Sequence, residues 1–304
     1  MKPEPRNQTT TADVYSRITE RIIADLAQGV RPWLKPWSAQ ESGHLITRPL
    51  RYNGAPYKGV NVLLLWGAAT DKGFSSPFWM TYKQAQELGG QVRKGETGSL
   101  VVYANRFTKT ETNEEGEDIE HEIPFLKGYT VFNTDQIDGL PERFQSVPLP
   151  SPAPELLHQA AESFFAATGA SFRHGGNRAF YVPAGDFIQL PPPQAFKDPE
   201  SYAAIKAHEL IHWTGHSSRM AREFGKRFGD NAYAFEELVA ELGAAFLCAD
   251  LQLTPEPRPD HAAYLASWLK VLRQDKRAIF AAAAHAQRAA DYLHGLQASE
   301  KVAA

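Results

Sequence analysis

An α+β chain of two domains is what this sequence predicts, and three observations carry that reading. Its 304 residues exceed what one hydrophobic core usually organises. The segment 146–155, "SVPLPSPAPE", sets four prolines in a short run that favours extended backbone. Strand-like and helix-like stretches lie on both sides of that seam, with helix dominating the second half. The expected organisation is an α+β domain over residues 1–145, a Pro-rich linker over 146–155, and a helix-rich domain with a small sheet over 156–304.

In the first half, Val14, Ile18, Ile22 and Leu26 recur at four-residue spacing before Gly29, the signature of an amphipathic helix with a glycine stop. "VNVLLLWGAA" (60–69) is too short for a membrane span, which takes roughly 18 apolar residues, and reads as a core helix or strand. "TYKQAQEL" reads as a short helix. "GSLVVYANRF" and "FLKGYTVFN" have strand composition and flank an acidic stretch, so an antiparallel hairpin with "NEEGED" as its turn is expected.

The net charge of −3 argues against a nucleic-acid binder, but its distribution does not. Residues 1–110 carry 15 Lys or Arg against 8 Asp or Glu, whereas residues 111–122 carry 7 acids and no Lys or Arg. The basic half also sets cations beside aromatics: Arg31, Trp33, Lys35 and Trp37; Arg51, Tyr52, Tyr57 and Lys58; Phe78, Trp79, Tyr82 and Lys83, with Lys94 following. Such clusters suit single-stranded nucleic acid, since bases stack on aromatic faces while Lys and Arg follow the phosphates. The single cysteine, Cys248, reads as core filler and excludes an internal disulfide, so a metal would be held by His and carboxylate ligands. The opening "MKPEPRNQTTTADVY" carries no apolar signal core, and a cytoplasmic protein with no membrane partner is the expectation.

In the second half, "APELLHQAAESFFAATG" reads as a helix, and "SFRHG", "RAFYVP" and "DFIQLP" read as short strands. "DPESYAAIKAHELIHWTGH" then opens with Asp198 as N-cap and Pro199 at the first helical position. Four residues turn a helix by about 400°, so His208 and His212 share a face and can reach one ion. Glu209, about 100° around from His208, is placed to act as general base in metal-assisted hydrolysis. Gly215 offers a sharp exit. A longer pattern of the HExxHxxGxxH type needs histidine at 218, where Ser218 stands, so His216 is discounted as a ligand.

The third ligand is expected from "NAYAFEELVAELGAAFLCADL", where Ala234, Leu238, Leu242 and Ala245 form one buried stripe. Glu237 is assigned as ligand and Glu241 as the carboxylate that orients a ligand histidine, the reverse order being the alternative, with Glu236 as a solvent-exposed neighbour. His216 and Tyr233 are candidate donors to an oxyanion. The strand "DFIQLP" could be a sheet edge that aligns a peptide, with Pro191 to Pro193 closing it to further pairing.

These residues carry a resemblance. The helix, three strands, HExxH helix and glutamate helix follow the gluzincin layout, and "YVPAGDFIQLPPPQAF" leading into "HELIHWTGHSSRM" resembles the zincin-like metallopeptidase domain of ArdC-type plasmid antirestriction proteins. "WLKPW", "YKGVNVLLL", "FWMTYKQAQELGGQVRKGETGSLVVYA" and "FLKGYTVFNTDQIDGLP" look like that family's N-terminal domain, so the resemblance runs over about residues 10–290. The family in turn resembles the non-primase part of TraC-type plasmid DNA primases. The resemblance implies an N-terminal domain that binds single-stranded DNA and a C-terminal domain holding one divalent metal, zinc or else manganese. It also implies protection of incoming conjugative DNA from host restriction, with a restriction-system protein as a possible peptidase target. The competing reading is a non-catalytic single-stranded-DNA-binding protein whose metal is structural.

Overall fold

The computed structural model describes residues 11–33, 47–112, 118–144, 152–225, 230–253 and 261–297. In the first half these form α1 (Thr11–Ala27), β1 (Leu50–Arg51), α2 (Val60–Lys72), β2 (Phe78–Met80), α3 (Tyr82–Glu87), β3 (Gln91–Val92), β4 (Ser99–Thr112), β5 (Asp118–Asn133) and β6 (Ile137–Asp138). The second half follows with α4 (Pro154–Ala167), β7 (Ser171–His174), β8 (Phe180–Val182), β9 (Phe187–Leu190), α5 (Pro199–Thr214), α6 (Asn231–Leu251), α7 (His261–Gln274) and α8 (Ala278–Gln297).

The four-residue apolar spacing of α1 buries Val14, Ile18, Ile22 and Leu26, and the helix stops before Gly29 in a left-handed conformation (φ 74°). The apolar run at 60–69 is helical: α2 buries nearly its whole circumference, as a core helix does. Short α3 is held by a capping box in which Thr81 accepts from the Gln84 backbone N–H and Gln84 accepts from that of Thr81. The first sheet has the order β1-β2-β5-β4, and β4 and β5 pair antiparallel from Ser99↔Val131 to Thr112↔Asp118. The hairpin is thus as the composition suggests, although most of its "NEEGED" tip lies outside the described residues.

A two-stranded sheet pairs β3 with β6, and the three-stranded sheet of the second half corrects one expectation. Its order is β7-β9-β8, with β9 parallel to β7 and antiparallel to β8. The "DFIQLP" strand is therefore central, its Ile188 and Leu190 fully buried, and its edges are already paired. It offers no edge to a peptide, and Pro191 to Pro193 simply end it.

Helix α6 is also more deeply placed than a one-stripe pattern suggests. Every residue from Glu236 to Ala249 is buried, so α6 is the central helix of the second half. Alanine-rich α8 lies along it, with Ala282, Ala283, Ala286, Ala289 and Ala290 buried where small side chains let helices approach. Helix α4 begins at Pro154, inside the segment expected to be linker; residues 145–151 lie outside the described residues.

The two halves share one hydrophobic core that runs from Leu26, Trp33 and Trp66 to Leu238, Phe246 and Trp268. A part-buried polar network crosses the same seam. Arg48 donates to both carboxylate oxygens of Asp250 at 2.7 Å and to Gln287 Oε1 at 2.7 Å, and its guanidinium lies 4.8 Å from the centre of the Phe246 ring. Lys58 pairs with Asp291 across the seam at 3.0 Å.

Candidate metal centre

The site is built on the crossing of α5 and α6. Asp198 caps α5 by accepting from the Ser201 backbone N–H at 2.7 Å, and Pro199 takes the first helical position. Packing is close because α6 turns a glycine toward its neighbour. A Cβ on Gly243 would stand 2.9 Å from Ile211 side-chain carbons. His208, Glu209, His212, Glu236, Glu237 and Glu241 are all buried at this crossing.

The two histidines use their ring nitrogens in the same way. His208 Nε2 is 3.6 Å from Glu237 Oε2, and His212 Nε2 is 3.4 Å from Glu237 Oε1. Each Nδ1 faces a different carboxylate, Glu241 Oε2 at 3.9 Å for His208 and Glu236 Oε1 at 3.0 Å for His212. Among the described residues, His208, His212 and Glu237 form a group whose candidate ligand atoms all lie within 4.8 Å of one another. Two imidazoles and a carboxylate are a donor set that suits a divalent metal ion.

The electrostatics favour charge separation in this pocket. Burial opposes a charged His212, but hydrogen bonds to Glu236 and Glu237 outweigh it and push its pKa up to about 10. Burial also works against ionised Glu237, and its hydrogen bonds to the two histidines hold it well below the usual carboxylate range.

Glu236 requires a correction. It is not a solvent-exposed neighbour but a buried carboxylate bridging His212 and Arg222. Arg222 donates to it twice, from Nε to Oε2 and from Nη2 to Oε1, each at 2.9 Å. The same guanidinium reaches the Ile211 carbonyl at 2.6 Å and Thr214 Oγ1 at 2.8 Å, so it ties the end of α5 to α6. Sequence reasoning missed Arg222, which lies on a loop with no local pattern. Glu236 could have been found by noticing that α6 is apolar on every side and leaves no solvent face for it.

Gly215 is a second correction. Its φ of −78° is open to any residue, so no left-handed exit is made there. Glycine is needed for space: a Cβ would come within 2.6 Å of the Phe224 ring and 2.9 Å of Arg222.

The oxyanion-donor candidates separate. His216 lies beside Ser218, its Nδ1 2.7 Å from the Ser218 hydroxyl and accepting from the Ser218 N–H at 3.2 Å. The Tyr233 hydroxyl is 3.1 Å from that of Tyr264. Burial, followed by contacts with Tyr264 and Glu237, raises the Tyr233 pKa and keeps the phenol protonated beside the carboxylate.

The cation–aromatic clusters of the first half divide by burial. Trp33, Trp79 and Tyr57 are core residues, 0%, 1% and 4% exposed, and cannot offer faces to bases. This corrects the reading of these three as stacking platforms; their rings close the core instead. Trp33 donates its indole N–H to Glu241 at 3.2 Å. Arg31 is half-buried, and burial lowers its pKa although Glu241 opposes that. Arg51, Lys58, Lys83 and Lys94 are exposed, with Arg51 over the Tyr57 ring and Lys83 3.5 Å from Glu87. Lys35 and Trp37 lie outside the described residues. Tyr103, passed over in the sequence, is exposed and sits directly opposite exposed Lys127 across the hairpin.

Comparison with known proteins follows the same two halves. Residues 12–132 match the N-terminal domain of anti-restriction factor ArdC, and residues 159–285 match a zincin-like metallopeptidase family. The metal-free crystal structure of antirestriction protein ArdC from plasmid R388 is 48% identical, superposes with a TM-score of 0.79, and covers 94% of this chain and 98% of that one. The Mn(II)-bound structure of the same protein is 47% identical, with a TM-score of 0.75 over 93% of this chain and 98% of that one. An uncharacterised protein, y4eC of Sinorhizobium fredii (strain NBRC 101917 / NGR234), is 42% identical over 96% of this chain and 95% of its own length. Two DNA primases named TraC from Escherichia coli are each 38% identical over 92% and 91% of this chain, which spans only 27% and 19% of them. The fold is the two-domain arrangement of ArdC, an N-terminal α+β domain joined to a zincin-like domain with a divalent-metal donor set, and this chain belongs to the ArdC family of antirestriction proteins.

Proposed function

We propose that this chain binds single-stranded DNA through residues 1–145 and protects incoming conjugative plasmid DNA from host restriction, and that residues 156–304 form a metal-dependent peptidase. His208, His212 and Glu237 are assigned as ligands of one zinc or manganese ion, Glu209 as general base, and Glu241 as a carboxylate that orients His208. One observation carries the metal assignment: both Nε2 atoms converge on Glu237 while each Nδ1 faces its own carboxylate. The Mn(II)-bound ArdC relative supports the same reading.

A divalent ion held here would supply Lewis acidity to a peptide carbonyl. The protein's own groups do the rest. Glu209, 2% exposed on the helix that carries both histidines, takes a proton from the attacking water and passes it to the leaving amine. Glu236 and Glu241 hold the imidazoles with Nε2 free for the ion. The Tyr233 phenol, protonated beside Glu237, is a donor to developing negative charge. A protein of the host restriction system is the class of substrate assigned, and the cytoplasm is the compartment where it would be met. Among the described residues, no helix is long and apolar enough to cross a membrane.

For DNA, burial supports a revised surface: Arg51, Lys58, Lys83 and Lys94 with the exposed rings of Tyr52, Tyr82 and Tyr103. The TraC relatives, named as primases, support a nucleic-acid role.

The test compares wild type, Glu209→Ala and His208→Ala for metal content, single-stranded DNA binding and protection from restriction in a conjugation assay. Glu209→Ala should keep the metal and bind DNA with unchanged, salt-sensitive affinity while losing protection. Full protection by Glu209→Ala would overturn the peptidase and leave a binding protein with a structural metal.

A further inference from the structure

The zincin-like family match begins at residue 159, yet one polar contact into the metal centre comes from far upstream. Trp33 is fully buried, and its indole N–H donates to Glu241 Oε1 at 3.2 Å. The other oxygen of that carboxylate is the one that faces His208 Nδ1, at 3.9 Å. A carboxylate buried to this depth must be held by donors, and an indole N–H donates without being able to accept, so it fixes which oxygen is left for the histidine. We propose that Trp33 is a positioning residue of the metal centre: the N-terminal half completes the site by holding Glu241 against His208.

The surroundings make Trp33 a rigid donor. Its ring meets Trp268 edge-on, with centroids 6.1 Å apart and planes at 62°. Trp268 stacks on Tyr264 (6.1 Å, 17°), and Tyr264 stacks on Tyr233 (6.2 Å, 27°). The Tyr233 hydroxyl is 3.1 Å from that of Tyr264, and Tyr233 stands one turn before Glu237 on α6. An aromatic wall therefore runs from the orienting carboxylate to Tyr233, and its first member belongs to the other half of the chain. His212 has no such dependence, because its Glu236 is held by Arg222 from the loop after α5. The arrangement couples the segment around residues 31–33, between α1 and the strands of the first sheet, to the geometry of one ligand histidine.

The inference rests on His208, His212 and Glu237 being the ligands, and the experiment separates the two. Full-length protein is titrated with Mn(II), read by the loss of its free-ion electron paramagnetic resonance signal, and with Zn(II) against a chromophoric chelator. Wild type should take up one ion per chain; no uptake would overturn the metal assignment itself. Trp33→Phe, which keeps an aromatic ring and deletes the N–H, should weaken binding about fivefold, and Glu241→Gln about tenfold. The decisive variant is the double one. Trp33→Phe added to Glu241→Ala, which leaves the indole no acceptor to hold, should cost nothing further, whereas a role confined to packing would cost the same factor in both backgrounds. Replacement of Trp33 by 3-benzothienylalanine, which has the same ring shape with sulfur in place of N–H, covers the case in which phenylalanine leaves an unfolded chain, and should give the same loss. Unchanged affinity with either replacement in a wild type that binds metal overturns the inference.

Discussion

His208 and His212 stand one turn apart on α5 and present Nε2 to the same carboxylate, but they are braced by different means. His212 leans on a fully buried ion pair, Glu236 with Arg222, closed within the zincin-like half. His208 leans on Glu241, a longer contact whose carboxylate is held from the N-terminal half by a neutral indole donor. One side of the centre is closed within its own half, and the other reaches across to the N-terminal half, where half-buried Arg31 also feels the Glu241 charge. Orientation of a ligand needs a fixed acceptor at the distal nitrogen, and the fold supplies it with whatever donor the packing brings near.

The largest effect should come from breaking the charged brace. Arg222→Ala leaves Glu236 buried with His212 as its remaining charged partner and strips donors from the Ile211 carbonyl and Thr214, so it should destabilise the metal-free chain by about 3–5 kcal/mol. Trp33→Phe removes one donor from the buried Glu241 carboxylate and should cost about 2 kcal/mol. Urea unfolding of both variants measures the contrast; equal losses would mean that the two sides are not braced differently in energy.

Metal affinity should follow the same order. Glu236→Gln keeps an acceptor for His212 Nδ1 but loses the charge, and should weaken binding toward the upper end of the range for such partners, about a hundredfold. That is well beyond the loss expected for Glu241→Gln, since the contacts are 3.0 and 3.9 Å. Isothermal titration with Zn(II) decides it. Identical losses would show that the His208–Glu241 gap closes when the ion is bound.

Legibility in the sequence divides along the same line. Helix α5 and its two histidines were readable because a cap, a helical proline and four-residue spacing are local facts that tertiary packing did not need to supply. The β4–β5 hairpin was readable for the same reason. Strand order was not: β9 inserts between β7 and β8, and nothing within "DFIQLP" distinguishes a central strand from an edge. Arg222 and Trp33 were invisible as site residues because each acts across a fold contact, over 14 and 208 residues of sequence. The aromatic clusters misled because Trp and Tyr serve cores and surfaces alike, so composition could not tell Trp33 and Trp79 from exposed Tyr103. Helix α7, with its buried Tyr264 and Trp268, was not read at all.

A change that acts on both histidines at once calibrates the contrast. Gly243→Ala places a Cβ 2.9 Å from Ile211, between the two imidazole-bearing turns of α5, and should push α6 away at a cost of about 1–3 kcal/mol. Added to Arg222→Ala or to Trp33→Phe, it should be less than additive with each, because the helix shift already loosens both braces. Simple additivity in urea unfolding with both partners would show that the α5–α6 distance does not set the site.

The smallest effect concerns the loop that carries Arg222, and it should depend on pH. Arg219, three residues earlier, donates to the Trp213 carbonyl at 2.7 Å and holds Asp186, in the turn between β8 and β9, through both carboxylate oxygens. That pairing pins the loop, and hence Arg222, to the small sheet. The Asp186 carboxyl lies below its ordinary value of 3.8, first because Arg219 hydrogen-bonds the charged form. A carboxylate depressed in the folded state contributes stability that is fully present above its unfolded pKa and is lost as pH falls through the folded one. Asp186 is 40% exposed, so after solvent screening the contribution is about 0.5 kcal/mol. Asp186→Asn should therefore lower the unfolding midpoint of the metal-free chain slightly at pH 7, and the gap from wild type should shrink as pH drops below about 4. Zn(II) affinity near pH 7 should fall a little with Asp186→Asn in a wild-type background and by less in an Arg222→Ala background, because the pin reaches the end of α5 both through Arg222 and through the Trp213 carbonyl. A loss undiminished without Arg222 would mean that the pin acts through the Trp213 carbonyl alone and that the Arg222 loop does not carry it to His212.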